Sequence, residues 1–194
     1  MQAVLDAVAE RLMAGDESLI RVPEICEATG VNYGSVYHHF GSREGVIDAA
    51  YNMIFSRLVQ EDVALFRSNL EAATTFDDFV TLLRPIVASL SLGPARRARR
   101  AMRVRIVAAA STRPQLRVLI GQTQAKLTEE LRQIIAYAQD RKWLRDDVSA
   151  AALAVFFQIL IFGRSLDDVS ASPVDESQWE ETMSVLFMEL LYRA

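Results

Sequence analysis

Apolar residues recur three and four positions apart almost from end to end of this chain, and no stretch alternates β-branched with polar residues between hairpin turns. That spacing lines one face of a helix and cannot line one face of a strand, so the chain reads as all-α. Glycine, proline and capping residues cut the pattern into about nine helices. Val4, Leu5, Val8 and Leu12 mark the first, ending near Gly15. The second spans 22–29, with Pro23 in its first turn and Gly30 as its stop. Asn32 caps a third over 33–39, because its side-chain oxygen can accept the Ser35 amide. Ser42 caps a fourth, which meets no proline or glycine from Val46 to Ala73. At 1.5 Å per residue that is roughly 40 Å, a length suited to a mechanical link between two domains.

Thr75 starts a fifth helix carrying Phe76, Phe79, Leu82, Leu83, Ile86 and Val87, and Gly93-Pro94 separates it from a sixth over 95–111. Pro114 opens a seventh over 115–140, and Trp143-Leu144-Arg145-Asp146 forms a link. The eighth, 148–166, is apolar nearly all round, so its own core can cover only one side of it. After Ser170-Ala171-Ser172-Pro173, a ninth carries Trp179, Met183, Leu186, Phe187, Leu190 and Leu191 as a packed stripe.

At 194 residues the chain suits one or two domains with a core that needs no staples. The single cysteine, Cys26, cannot form an intramolecular disulfide, and no charged-then-apolar leader opens the chain, which points to the cytoplasm. The longest apolar run, 150–163, falls short of the roughly 20 residues of a membrane span and reads as a buried helix, so no membrane partner is expected. The only two histidines are adjacent in the third helix, with no third ligand at metal spacing. No Gly-rich phosphate loop, paired-carboxylate or Cys-His arrangement is evident, so the expectation is no enzyme, no catalytic residues, no metal and no cofactor. With a net charge of −4, any nucleic-acid contact must come from a local patch.

A helix, a turn at Gly30 and a short second helix opening on a polar cap make a helix-turn-helix, whose second helix can enter a DNA major groove. Gly30 accepts the positive φ of such a turn, and Val31 is placed to plug the small core. The stretch GVNYGSVYHHFGSRE resembles the Gly-Val-Ser-x-x-x-Leu-Tyr-x-His-Phe-x-x-Lys-Glu signature of the TetR family of bacterial transcriptional regulators. The similarity covers about residues 3–51; beyond them it rests on helix count, lengths, loop positions and Leu144-Arg145-Asp146-Asp147 before the eighth helix. It implies a three-helix DNA-binding domain over 1–45 and a helical effector-binding and dimerisation domain over 46–194. The function it implies is a ligand-responsive regulator, expected to be a repressor that binds palindromic double-stranded DNA as a homodimer and is released by a small-molecule effector. A sensor or protein-interaction module with weak or no DNA binding is the alternative.

Carried over by position, Tyr33, Gly34, Ser35 and His38 face bases, while Tyr37, His39 and Arg43 meet phosphates, with Asn32 a cap first and a phosphate contact second. Hydroxyl, imidazole and guanidinium groups suit phosphate oxygens, and short side chains let a helix approach base edges. Phe40 is then core and Cys26 a small core position. The chain departs from the family pattern in three ways. Residues 1–52 hold three basic groups, Arg11, Arg21 and Arg43, against eight acidic ones, so weak or salt-sensitive DNA binding is expected. The chain begins Met1-Gln2 where the family has a basic arm. The usual aromatic and hydroxyl residues before the second helix are replaced by 15–22, leaving Arg21 as the substitute phosphate contact.

Six of the eleven residues in 95–105 are arginine. On a helical wheel Ala95, Ala98, Met102, Ile106 and Ala109 share one stripe, Arg96, Arg97, Arg100 and Arg103 lie opposite, and Arg99 and Arg105 flank it. Three readings stand: a solvated face paired to carboxylates, a counter-charge for an anionic effector through Arg99, Arg103 or Arg105, or a nucleic-acid surface. The pocket that the resemblance implies would be walled by Phe55, Phe66, Phe79, Leu83, Met102, Ile106, Leu127 and Phe156. Dimer contacts would come from Phe157, Leu160, Ile161, Arg164, Trp179, Met183, Leu186, Phe187 and Leu190 on helices eight and nine.

Overall fold

The computed structural model describes residues 1–15, 17–89 and 93–191, and the side chains of all of these except 85–89. Asp16 and the side chains of Ile86 and Val87 therefore lie outside the described residues. Among the described residues the chain is all-α. Its helices are α1 (Gln2–Ala14), α2 (Val22–Thr29), α3 (Tyr33–Phe40), α4 (Arg43–Ala72), α5 (Phe76–Ser89), α6 (Gly93–Thr112), α7 (Pro114–Asp140), α8 (Ala150–Asp168) and α9 (Glu176–Met188). A short 3-10 turn, Glu17–Leu19, which helical periodicity does not foretell, precedes α2. The chain forms two compact units: 1–58 with 105–123, and 59–104 with 124–194.

In the first unit α1 buries Val4, Val8, Ala9 and Leu12, the i, i+4, i+8 row of one face. α2 buries Val22, Ile25 and Cys26 and ends at Gly30, whose φ of 67° is left-handed. The Val31 amide then donates to the Cys26 carbonyl at 3.1 Å, closing the turn. Asn32 Oδ1 accepts the Ser35 amide at 3.1 Å and starts α3, as its position predicts. Ser42 Oγ accepts the Gly45 amide at 3.0 Å at the head of α4. A Cβ on Gly45 would sit 2.0 Å from the Phe40 carbonyl oxygen, so only glycine lets α3 and α4 meet this closely. Val46, Ile47, Ala50, Ile54 and Phe55 of α4, with Ile106 and Leu116 of α6 and α7, add to the buried set of this unit.

In the second unit α5 packs on α9. The Phe79 ring stacks on Trp143 at 5.2 Å, and the Arg141 guanidinium lies 5.0 Å from the Trp143 ring. The packed stripe of the ninth helix stops before the leucines that were expected to continue it: α9 ends at Met188, the Leu190 carbonyl accepts the Arg145 amide at 3.0 Å, and Leu191 bridges to Leu144. Those two residues satisfy the backbone of the α7–α8 link and so leave the helix. α8 has the expected length of 19 residues, displaced two residues toward the C-terminus, and although its apolar run falls short of a span, by length and composition alone the helix could cross a membrane. Its Gln158 and Arg164 side chains make contacts within the protein, however. Gln158 bonds with Gln124 and Thr128 of α7, and Arg164 pairs with Asp167.

The arginine-rich face of α6 is only partly solvated, with Arg97 exposed and Arg96 half-buried. Arg100 and Arg103 are 4% and 6% exposed. Asp62 of α4 accepts from Arg96 at 2.8 Å, from Arg99 at 3.3 Å and from Arg103, while Asp168 of α8 takes Arg100 in a two-pronged pair at 2.6 Å. The pairing to carboxylates follows the first of the three readings, but Arg100 and Arg103 are buried, because the carboxylates that draw them inward come from other helices.

Asp78 opens α5 with a capping box: its Oδ2 accepts from the Thr74 hydroxyl at 2.7 Å and the Thr75 amide at 2.9 Å, and its own amide donates to Thr75 Oγ1 at 3.1 Å. The Thr74 hydroxyl first, then the other donors, hold its carboxyl down at about 2. A depressed folded value means the stabilisation is complete above the ordinary 3.8 and is lost as pH falls through about 2. An NMR titration of the Asp78 carboxyl is expected to give a midpoint near 2, moved upward in Thr74→Val; an unmoved midpoint would refute the role of the hydroxyl.

Candidate nucleic-acid interface

α3 turns one side chain inward and the rest outward. Val36 is fully buried, while Asn32, Tyr33, Gly34, Ser35, His38 and His39 are exposed and Tyr37 is half-buried. The Tyr33 and Tyr37 rings lie 4.5 Å apart, and the hydrogen bond between their hydroxyls is the main cause that raises the Tyr37 phenol above its ordinary value. Both phenols therefore present hydroxyls able to bond to phosphate or base edges. Phe40, expected in the core, is half-buried and packs edge-on against His39 at 4.6 Å.

The arginines near α3 are tied down. Arg43 donates from Nε to the Ile20 carbonyl at 3.1 Å and from Nη2 to the Glu17 carbonyl at 2.8 Å, and its Nη1 lies 3.4 Å from the Glu44 carboxylate. Arg21 donates to the Ser18 carbonyl at 2.6 Å. These bonds satisfy the backbone of the turn ahead of α2, and they take up donors that a phosphate would otherwise receive. The same turn is held from the far side by Arg113, which pairs with Glu17 and with Asp48 of α4. Burial pushes the Asp48 carboxyl up, against the pull of Arg113. Burial, with a hydrogen bond to Glu17, lifts the Tyr51 phenol to about 12.

Of the residues expected to line a pocket, Phe55, Arg105 and Ile106 belong to the first unit and Phe66, Phe79, Leu83, Arg99, Met102, Arg103, Leu127 and Phe156 to the second. Phe55, Ile106, Phe79, Leu83, Met102 and Leu127 are buried, as core residues are, whereas Phe156 is 41% exposed. Phe66 and Phe156 each pack against Phe157, at 6.5 and 6.1 Å. Arg99 and Arg103 bind Asp62, and Arg105 donates to the Leu12 carbonyl at 2.7 Å, where it caps the end of α1. Of the residues expected at a dimer contact, Met183, Phe187 and Arg164 are buried within the chain, and Arg164 stacks on Trp179 at 4.8 Å. Phe157, Leu160, Ile161, Trp179 and Leu190 are half-buried and Leu186 is exposed. The open apolar face of α8 instead runs through Val155, Phe156, Ile159 and Leu166, the last two 59% and 78% exposed. Ile159 and Leu166, absent from the expected set, share one face with Val155 by helical spacing.

Residues 7–50, which hold α2, the Gly30 turn and α3, match the family described as bacterial regulatory proteins, tetR family. These residues form a DNA-binding domain of the TetR family. The Escherichia coli K12 HTH-type transcriptional regulator UidR is 25% identical over 168 residues, covering 87% of this chain and 80% of that protein. Among solved structures, Salmonella enterica GusR superposes with a TM-score of 0.66 at 20% identity, over 98% of this chain and 94% of that one. A TetR-family regulator from Mesorhizobium loti gives 0.71 at 14% identity, over 99% and 96%. A transcriptional regulator from Saccharomonospora viridis, in complex with choline, gives 0.68 at 14% identity, over 100% and 97%. Residue spacing located α3 and its exposed face but not Arg113, Glu17 or Asp48. They stand 65 and 96 residues apart along the chain, so no local signal joins them.

Proposed function

We propose that this chain binds a palindromic DNA site as a homodimer in the cytoplasm, reads it with α3, and represses transcription until a small-molecule effector releases it. Residues 1–45 are the reader and 46–194 hold the effector and the partner subunit. The observation that carries this reading is the outward face of α3, where Tyr33, Gly34, Ser35 and His38 stand exposed behind a capped first turn. In a dimer, two such helices sit about 34–36 Å apart, one turn of DNA. The effector acts through its different affinity for the DNA-binding and released states. The choline-bound Saccharomonospora viridis regulator supports a small-molecule effector for this one.

Fragment selection from genomic DNA, followed by anisotropy titration of the enriched duplex against salt, tests the DNA reading. One pseudo-palindromic duplex, bound with steep salt dependence, is the expected result. No enrichment and no binding at low salt would instead favour a second reading, a sensor that contacts proteins. That reading draws on the three arginines against eight carboxylates in residues 1–52.

The apolar face of α8 is the surface proposed to pair the subunits. Ile159→Glu is expected to halve the molar mass by light scattering and to weaken duplex binding about 100-fold or more, because two linked half-site contacts become independent. An unchanged mass would move the dimer contact elsewhere.

A further inference from the structure

We infer that Arg113 is a positioning residue for DNA reading, acting through Glu17 and Asp48 without touching DNA. Arg113 is the single residue between α6, which ends at Thr112, and α7, which begins at Pro114. The proline after it bars the helical conformation, and the Arg113 carbonyl accepts the Arg117 amide at 2.9 Å to start α7. The junction is thus short and stiff, and it aims one guanidinium at two carboxylates. Nη2 pairs with Glu17, and Nη1 lies 3.1 Å from Asp48 Oδ1. Nearly all of the Asp48 side chain is shielded from solvent.

Glu17 is the centre of this arrangement. Its second carboxylate oxygen accepts from the Tyr51 hydroxyl at 3.0 Å, and its backbone carbonyl accepts from Arg43. The residue that opens the turn before α2 is therefore held by α4 through Tyr51 and Arg43 and by the α6–α7 junction through Arg113. Arg105 holds the end of α1 on the other side of the same turn. α2 begins three residues after this turn and α3 follows directly, so the direction in which α3 leaves the unit depends on where Glu17 is fixed. Guanidinium suits this task because its fork engages two carboxylates at once, which a lysine ammonium cannot do in the same geometry.

The inference rests on DNA reading by α3, and the test separates the two. The duplex enriched by the parent chain is titrated with R113Q, R113K, E17Q and D48N at several salt concentrations, with thermal melting of each variant alongside. E17Q and D48N remove negative charge, so Coulomb attraction to phosphate alone would tighten binding. Loss of positioning instead weakens it. R113Q and E17Q are expected to bind about tenfold more weakly, the loss of a charge-assisted hydrogen bond, with an unchanged salt slope and with partial recovery in R113K. Hydrogen exchange of the amides in 17–25 is expected to quicken in R113Q and E17Q while that of 46–58 stays as in the parent. If E17Q binds as tightly as the parent or tighter, or if R113Q lowers the salt slope by about one phosphate contact, the positioning role falls while DNA reading stands. If the parent enriches no duplex, the reading of α3 falls and the positioning role with it. Should R113Q fail to fold, E17Q decides alone, since its side chain is part exposed and its replacement keeps the shape.

Discussion

Ser35→Glu is expected to leave the chain folded with its melting temperature unchanged, yet to weaken operator binding at least about 100-fold. Ser35 is the third residue of α3 and is exposed, and its amide already donates to the Asn32 cap. A glutamate there completes a capping box and places a negative charge at the positive end of the helix dipole, so the helix itself is favoured. The same carboxylate would stand where the helix meets base edges, between two lines of phosphates, and would be repelled by both. Anisotropy with the selected duplex and a thermal melt measure the two effects separately. Ser35→Gln, of equal bulk and no charge, is expected to lose less. Unchanged affinity in Ser35→Glu would remove α3 from the interface.

The largest expected loss of stability is at Asp62. Asp62→Ala is expected to cost about 3–5 kcal/mol, because it strips the shared carboxylate from Arg96, Arg99 and Arg103 and leaves the buried Arg103 charge without it. Glu61, which pairs with Arg99, can compensate only at the exposed end of the group. Urea unfolding at fixed protein concentration measures the change, the concentration being held because pairing of subunits would shift the midpoint by mass action. Asp62→Asn keeps the shape and the acceptor oxygen and is expected to fall between the two. A loss below about 1 kcal/mol in Asp62→Ala would reduce the arrangement to a surface-type ion pair.

These two sites stand at opposite ends of what can be read from residues alone. Asn32, Gly30 and Ser42 act over three or four residues, and the cap, the left-handed turn and the start of α4 lie where local chemistry puts them. The exposed face of α3 follows from the same local pattern, since Val36 is its one fully buried position. By contrast, the arginine face of α6 looked solvent-facing on a wheel. Its Arg100 and Arg103 are buried because Asp168 and Asp62 meet them, carboxylates on helices 68 and 41 residues away in sequence that no single-helix pattern records. Arg43 shows the same limit. Its position suits a phosphate contact, but its guanidinium is bound to carbonyls 23 and 26 residues earlier in the chain.

By itself the sequence determined the helical class, the order of the helices, the bounds of α2 and the capped start and outward face of α3, because hydrophobic period, caps and positive-φ glycines act within a single turn. Only the tertiary structure decided which charges are buried, which carboxylates hold them, and which stretch of α8 stays bare. Those outcomes depend on groups brought together from distant parts of the chain, where burial makes a charge costly unless a partner meets it, and spacing along one helix carries no record of that partner.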